Sequence, residues 1–209
     1  MELKELYDGV VNGENDAVAA GVHSALAQEV PPETILNEAL IPAMAEVGRL
    51  FEAQEYYVPE MLLSAMTMQG GLDILRPLLA SSGQKPAGTV VMGTVQGDLH
   101  DIGKNLVIIM LEGAGYQVVD LGVDVPPGKF IQAAQGAAQL IGMSAMLTTT
   151  MPNMQVTIDA LVAAGVRNNV KIMVGGAPLT QAYAQQIGAD GYAADASAAV
   201  RKARELLAA

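Results

Sequence analysis

Gly97-Asp98-Leu99-His100-Asp101-Ile102-Gly103-Lys104-Asn105 stands between two apolar runs, Thr89-Val90-Val91-Met92-Gly93-Thr94-Val95 and Leu106-Val107-Ile108-Ile109-Met110-Leu111. The first run is short, β-branched and ends at Gly97, which is the pattern of a buried strand. The second follows an N-cap candidate, Asp101, and closes at Gly113 and Gly115, which is the pattern of a helix. Strand, glycine-bearing turn and helix make one unit of a parallel α/β sheet. Such a turn lies at the carboxyl edge of the strands, where open α/β folds hold ligands. Here it carries His100, one of two histidines in the chain, with Asp98 two residues before it.

An imidazole on an exposed turn can ligate a metal through one nitrogen while the other donates to a carboxylate, a bond that fixes the tautomer and raises ligand basicity. Asp98 and His100 have the spacing for this, since both can point the same way from an extended turn. The plainer alternative is that Asp98 or Asp101 only caps the helix and His100 is a solvated loop residue.

Outward from this stretch, the C-terminal half alternates strands and helices. Strands are predicted at Thr89–Gly93, Gln117–Leu121, Gln139–Ser144, Lys171–Gly175 and around Gly191-Tyr192-Ala193, with helices starting near Ile102, Pro127, Pro152, Leu179 and Ala196. Five such units with right-handed crossovers give a doubly wound five-stranded parallel sheet. Four turns carry small or hydroxyl residues: Gly97 to Gly103, Ser144 to Thr150, Gly175-Gly176-Ala177 and Asp195-Ala196-Ser197. Glycine lets a backbone approach a ligand, and hydroxyls donate and accept without bulk. Four on one edge point to a large, flat ligand with polar margins. Neither a dinucleotide Gly-x-Gly-x-x-Gly nor a phosphate-binding Gly-x-x-x-x-Gly-Lys-Ser/Thr is present.

Before the linker-like Ser81 to Gly88, the period is helical. Leu3, Leu6 and Val10 open a helix ending near Gly13. Asn15 or Asp16 is the expected cap of a second, with Val18, Val22, Ala25 and Leu26 on one face. A third starts at Pro31-Pro32-Glu33 with the stripe Leu36, Leu40, Met44, Val47 and Phe51, and Pro42 should bend it. A fourth carries Met61, Ala65, Met68, Leu72, Leu75 and Leu79. Short links between them predict a four-helix bundle. The expected division is a helical domain at 1–84 and a sheet domain at 85–209. Met61, Met66 and Met68 read as core packing, and His23 as a surface residue. Tyr56 and Tyr57 are either a packed turn or part of the ligand's roof.

Composition narrows the classes of function. Hydrophobic residues make up 51% of the 209, enough to fill real cores, and there is no cysteine. The absence of thiols excludes disulfides, thiolate nucleophiles, iron–sulfur clusters and zinc-thiolate centres within the chain. A net charge of −11 is contrary to a nucleic-acid partner. The charged start Met1-Glu2-Leu3-Lys4-Glu5-Leu6 is no signal peptide, and no apolar run has transmembrane length, so the expected site is the cytoplasm, away from membrane.

Asp98-Leu99-His100-Asp101-Ile102-Gly103, followed by Ser144 and by Gly175-Gly176, resembles the signature of cobalamin-binding domains: Asp-x-His-x-x-Gly, then Ser-x-Leu, then Gly-Gly. The helical half is similar to the cap preceding that domain in methionine synthase, and the two-part layout resembles the stand-alone corrinoid proteins of anaerobic methyltransferase systems. The resemblance covers nearly the whole chain. It implies a Rossmann-like cobalamin-binding fold and a cofactor that is cobalamin, alternating between methylcobalamin and cob(I)alamin, or a related corrinoid.

The same resemblance implies roles for residues. His100 would be the lower cobalt ligand in place of the cofactor's own dimethylbenzimidazole, the base-off/His-on arrangement. Asp98 would hold the other imidazole nitrogen, and the Thr150 hydroxyl would complete a proton relay. Gly97, Leu99, Asp101, Ile102 and Gly103 would line the opening for the nucleotide tail. Ser144 and Thr148 would bond its edge, Met146 and Gly175-Gly176 would pack along it, and Asp195-Ala196 would border its far end. Phe51 and Val58 would cover the upper, methyl-bearing face. Met146 stands where the family has leucine, a near-isosteric exchange. Thr150 replaces the family's serine and keeps the hydroxyl. Release of His100 in the four-coordinate Co(I) state would favour a proton on the imidazole, with Asp98 stabilising that cation.

The expected function is therefore that of a methyl carrier rather than a complete enzyme. Its partners would be a substrate-specific methyltransferase, an acceptor methyltransferase of tetrahydrofolate or thiol type, and a reductive activating protein. Three alternatives have weaker support. A small subunit of an adenosylcobalamin mutase would not need the helical cap. A cobalamin-dependent sensor would want a DNA-binding or signalling module. A receiver-like signalling domain would need an acidic phospho-acceptor cluster.

Overall fold

The apolar stripes of the first half place four helical segments side by side in the computed structural model, which describes residues 3–82 and 86–208, the side chains of 80–82 excepted. They are α1 (Leu3–Asn12), α2 (Asn15–Ala27), a continuous segment from α3 (Pro32–Ile35) to α4 (Ile41–Glu52), and α5 (Val58–Ser82). Leu6, Val10, Val18, Val22, Leu40, Met44, Val47, Met61, Met68 and Leu75 are all buried between them. The bundle is the one the periodicity predicts. Tyr56 and Ser64 close it at one end: both hydroxyls donate to the Val11 carbonyl, at 3.1 and 2.8 Å, and so satisfy an acceptor near the C-terminus of α1. Tyr56 thus belongs to the packed turn, while Tyr57 is exposed.

Four local expectations are corrected. Neither Asn15 nor Asp16 caps α2: Gly13 at φ +75° ends the preceding helix so abruptly that Glu14 is the boundary residue, with no side-chain cap. The disturbance expected at Pro42 falls one turn earlier, as a π-helical turn at Leu36–Leu40. A proline ring collides with the carbonyl four residues back and offers no N–H, and the wider turn before it leaves Pro42 in the opening turn of α4. Met66 is 59% exposed rather than core, because the buried stripe of α5 runs through Met61, Ala65, Met68, Leu72 and Leu75 and position 66 falls beside it. The helix expected near Leu179 begins at Gln181, where the Thr180 side chain accepts the Tyr183 N–H as cap. His23 is exposed as expected.

Thr67 is fully buried in α5, and its Oγ1 has no hydrogen-bond partner among the described residues. An unmatched buried hydroxyl keeps its desolvation cost without return. Thr67→Val, which matches the shape, should therefore stabilise the protein by about 1 kcal/mol. Denaturant midpoints read this, and a lower midpoint in the variant would reject it.

The second half holds β1 (Thr89–Thr94), β2 (Gln117–Asp120), β3 (Leu140–Ser144), β4 (Lys171–Gly175) and β5 (Gly191–Ala193) in one sheet of order β2-β1-β3-β4-β5. Every pairing is parallel, with Thr94 opposite Ser144 and Ser144 opposite Gly175. Helices α6 (Ile102–Gly113), α7 (Pro127–Gln135), α8 (Pro152–Ala163), α9 (Gln181–Gln186) and α10 (Ala196–Ala208) connect and follow the strands. One sheet face, with Val91, Ile141, Met143, Ile172 and Val174, forms a core with Phe130 of α7, Met154, Ile158 and Leu161 of α8 and Ala184 of α9. Phe130 lies so close over β1 that a Cβ on Gly93 would meet its ring at 2.8 Å. α10 packs on β3, β4 and β5.

Met1–Pro86 with Gly113–Gly115 forms one compact unit, and Ala87–Glu112 with Tyr116–Ala209 the other. The expected boundary at 84/85 falls on residues outside the described ones. No described helix is long and apolar enough to cross a membrane.

Candidate functional site

The strand order reverses direction between β1 and β3, and in open parallel sheets that reversal opens a crevice at the carboxyl ends of the two strands. The turn after β1 supplies Asp98 and His100. The turn after β3 supplies Met146, Leu147 and Thr150. The crevice brings the two together.

Asp98 is fully buried. Its Oδ1 accepts the His100 N–H at 3.0 Å and faces His100 Nδ1 at 2.8 Å. Its Oδ2 accepts the Met146 N–H at 2.8 Å, the Leu147 N–H at 3.3 Å and the Thr150 hydroxyl at 2.5 Å. Burial on its own pushes this carboxyl up, but the donations from Thr150, Met146 and both His100 groups outweigh it and hold the pKa well below the usual carboxylate range. Asp98 is thus an anion, and an anion only accepts. Nδ1 of His100 therefore carries a proton, and in the neutral ring Nε2 keeps its lone pair. The Leu147 carbonyl lies 3.0 Å from Thr150 Oγ1, but the single hydroxyl proton goes to the nearer, charged acceptor.

The His100 side chain is 49% exposed. Leu99 and Ile102, at 70% and 82%, and Met146, at 53%, stand exposed on the same two turns. A Cβ on Gly103 would meet nothing within 4 Å. This edge presents exposed apolar side chains around a half-exposed imidazole. Among the described residues no group of three or more His, Cys, Asp or Glu could hold a bare ion, so a metal meeting Nε2 must bring its other ligands with it. A flat macrocycle with a metal at its centre fits that demand.

The remaining residues of the expected site fall as follows. Gly97, at φ +84°, donates its N–H to Asp124 Oδ1 at 2.7 Å. Asp101 accepts from the Asn105 side chain at 3.1 Å. Ser144 is 2.9 Å from the Thr94 hydroxyl. Thr148 is exposed. Gly175 and Gly176 have a reason inside the chain: a Cβ on Gly175 would lie 3.0 Å from the Ala193 carbonyl oxygen, and one on Gly176 only 1.9 Å from that of Ala145. Asp195 caps α10 by accepting the Ala198 N–H at 2.7 Å, and Ala196 is buried at the start of that helix. Phe51, in α4, and Val58, first in α5, belong to the helical unit.

Three residues escaped the sequence reading. Lys104 is buried, and its Nζ reaches both oxygens of Asp120 at 2.8 Å and Asn105 Oδ1 at 2.7 Å. This ties the first turn of α6 to the end of β2. Asp124, at φ +51°, braces the turn from the other side, its N–H donating to the Asp98 carbonyl at 3.0 Å. Thr94 is fully buried at the end of β1. A hydroxyl at the end of a strand with an apolar interior was the available signal for it.

Two stretches match the family described as B12 binding domain, residues 88–201 and residues 2–76. The chain is 45% identical to dimethylamine corrinoid protein 1 of Methanosarcina acetivorans over 99% of its own length and 97% of that protein's. Its structure is similar to the methanol:cobalamin methyltransferase complex MtaBC from Methanosarcina barkeri, at 30% identity and a TM-score of 0.87 over 99% of this chain and 79% of that one. It is also similar to a cobalamin-binding protein from Desulfitobacterium hafniense DCB-2, at 29% identity and a TM-score of 0.81 over 98% of each chain. The half-exposed imidazole braced by a buried carboxylate agrees with these matches, and the chain belongs to the B12-binding family of corrinoid proteins, with cobalamin or a related corrinoid as its cofactor.

Proposed function

We propose that this protein carries a methyl group on a corrinoid, accepting it from a methyltransferase that acts on a methylated amine and delivering it to an acceptor methyltransferase of tetrahydrofolate or thiol type. Cobalt, when the cofactor is bound, supplies the methyl-accepting and methyl-donating centre. The chain's own contribution is His100 as lower ligand, base-off/His-on, in place of the cofactor's dimethylbenzimidazole. The observation that carries this is the Asp98–His100 pair: a buried anion accepts from Nδ1 and leaves Nε2 its lone pair, on a half-exposed side chain. Thr150, the Met146 N–H and the Leu147 N–H hold that anion in place.

Amines are favoured as the source of the methyl group because relatives named dimethylamine and trimethylamine corrinoid proteins are 45% and 40% identical to this chain, against 30% for the methanol system. Ser144, Thr148, Met146, Gly175-Gly176 and Asp195-Ala196 are assigned to the nucleotide tail, and Phe51 and Val58 to the methyl-bearing face. The helical part, 1–84, would act as a cap on the sheet domain, 85–209. A cytoplasmic setting and a reductive activating protein complete the reading.

The test is the absorption spectrum of the protein reconstituted with methylcobalamin, for wild type and His100→Ala. The wild type should show the histidine-ligated form and the variant the ligand-free, base-off form. Identical spectra would remove His100 from the cobalt. Absence of corrinoid binding by the wild type would reject the whole proposal.

A further inference from the structure

Asp98 holds His100 by its ring and its N–H, but the carbonyl of His100 is held from elsewhere. Thr94 Oγ1 lies 3.2 Å from that carbonyl oxygen and 2.9 Å from Ser144 Oγ. A carbonyl only accepts, so the Thr94 proton goes to His100. The Thr94–Ser144 contact then has one direction left, with Ser144 donating to Thr94. The result is a directed chain, from the Ser144 hydroxyl to the Thr94 hydroxyl to the His100 carbonyl.

Thr94 is a rigid post for this purpose. It is fully buried, its N–H donates to the Gly122 carbonyl at 3.0 Å, and its own carbonyl accepts the Val125 N–H at 2.9 Å. It is also the register partner of Ser144 across the β1–β3 pairing, which puts the two side chains on one sheet face. With this bond counted, the N–H, carbonyl and Nδ1 of His100 are each engaged. Nε2 is the remaining polar atom, and its direction follows from the other three.

We propose that Thr94 is a positioning residue for the cobalt ligand: by gripping the His100 carbonyl from the end of β1 it aims Nε2, and through Ser144 it joins the ligand-bearing turn to the turn after β3. The role of Thr94 as an aid to ligation rests on the function proposed above. The grip itself is a property of the protein without cofactor.

The experiment compares wild type, Thr94→Val and Thr94→Ser. In the cofactor-free protein, ¹⁵N NMR of the His100 ring should show one Nδ1–H tautomer in wild type and Thr94→Ser and a mixture in Thr94→Val. With methylcobalamin bound, the equilibrium for histidine ligation should fall about three- to tenfold in Thr94→Val, the worth of one hydrogen bond, and return in Thr94→Ser. Unchanged ring signals and spectra in Thr94→Val would overturn the proposal. So would a loss in Thr94→Ser as deep as in Thr94→Val, since packing of the methyl and not the hydroxyl would then be responsible. If Thr94→Val does not fold, Thr94→Ala against Thr94→Ser makes the same comparison. Should wild type bind methylcobalamin without histidine ligation, the function proposed above loses its ligand, and the ring signals of the cofactor-free protein still decide the role of Thr94.

Discussion

Gly176→Ala should destabilise the protein by about 3 kcal/mol or more, from backbone strain and overpacking together. Gly176 has φ +137°, where a side chain is strained whatever the space, and a Cβ there would lie 1.9 Å from the Ala145 oxygen and 3.0 Å from its carbon. Both obstacles are backbone, so no rotamer change relieves them. The chain must instead part the turn after β4 from the turn after β3, where the Ala145 N–H bonds the Gly175 carbonyl at 3.3 Å. The next residues in that turn are Met146 and Leu147, whose N–H groups hold Asp98. The substitution should therefore weaken the site as well as the fold, lowering corrinoid affinity even at temperatures where the variant is folded. Gly165→Ala and Gly188→Ala are the controls. Their φ values are +72° and +75°, and a Cβ at either position would meet nothing within 4 Å, so they face only the conformational cost of about 1–2 kcal/mol. Denaturant midpoints compare the three. A Gly176→Ala midpoint no lower than those of the controls would show that the turn yields freely.

The glycine pair illustrates how far the sequence could be read. Glycines at 175 and 176 point to close approach, and the structure shows the chain's own backbone close to both positions. A sequence names the residue that lacks a Cβ, and the fold decides what occupies the space. The same limit governs Asp98. His100 and Thr150 could be assigned to it by type, through a resemblance, but two of its donors are the main-chain N–H groups of Met146 and Leu147. Every residue except proline has that group, so no residue type reveals it.

Strands and helices were legible because their periods are local: β4 and β5 fall on the expected residues, and helices begin at Ile102, Pro127, Pro152 and Ala196. The misses are places where the deciding neighbour is remote or the rule is finer than the period. Met66 has core chemistry on the wrong side of its helix. Lys104 reads as one more polar residue in a first turn until Asp120, at the end of β2, is placed beside it. Thr94 needs Ser144, 50 residues away, and the His100 carbonyl to become more than the end of a strand.

Asp98→Asn should cost about 3–5 kcal/mol at neutral pH, from two main-chain donors left without an acceptor at about 1–3 kcal/mol each. The size of the side chain is kept, so the loss is electrostatic. One oxygen of the carboxylate takes two donors and the other takes three. An asparagine oriented to keep the His100 donors turns its NH₂ toward Met146, Leu147 and Thr150, donor against donor. Thr150 can turn to the Leu147 carbonyl at 3.0 Å; the two main-chain N–H groups cannot turn. The pH dependence has a definite sign. The folded pKa of Asp98 lies below its unfolded value, so its ionised form stabilises the fold fully above the unfolded value of about 3.9. That stabilisation declines as pH falls below about 4, toward the folded pKa, because the unfolded chain then binds a proton that the folded one does not. Wild type and Asp98→Asn should accordingly differ most near neutral pH, and the gap should narrow as the pH is lowered from about 4 toward 3. Denaturant titrations at several pH values measure the gap. A gap that stays constant down to pH 3 would mean that Asp98 is no more acidic in the folded protein than in the unfolded chain. The donations from Thr150, Met146 and His100 would then do no more than offset the cost of burial.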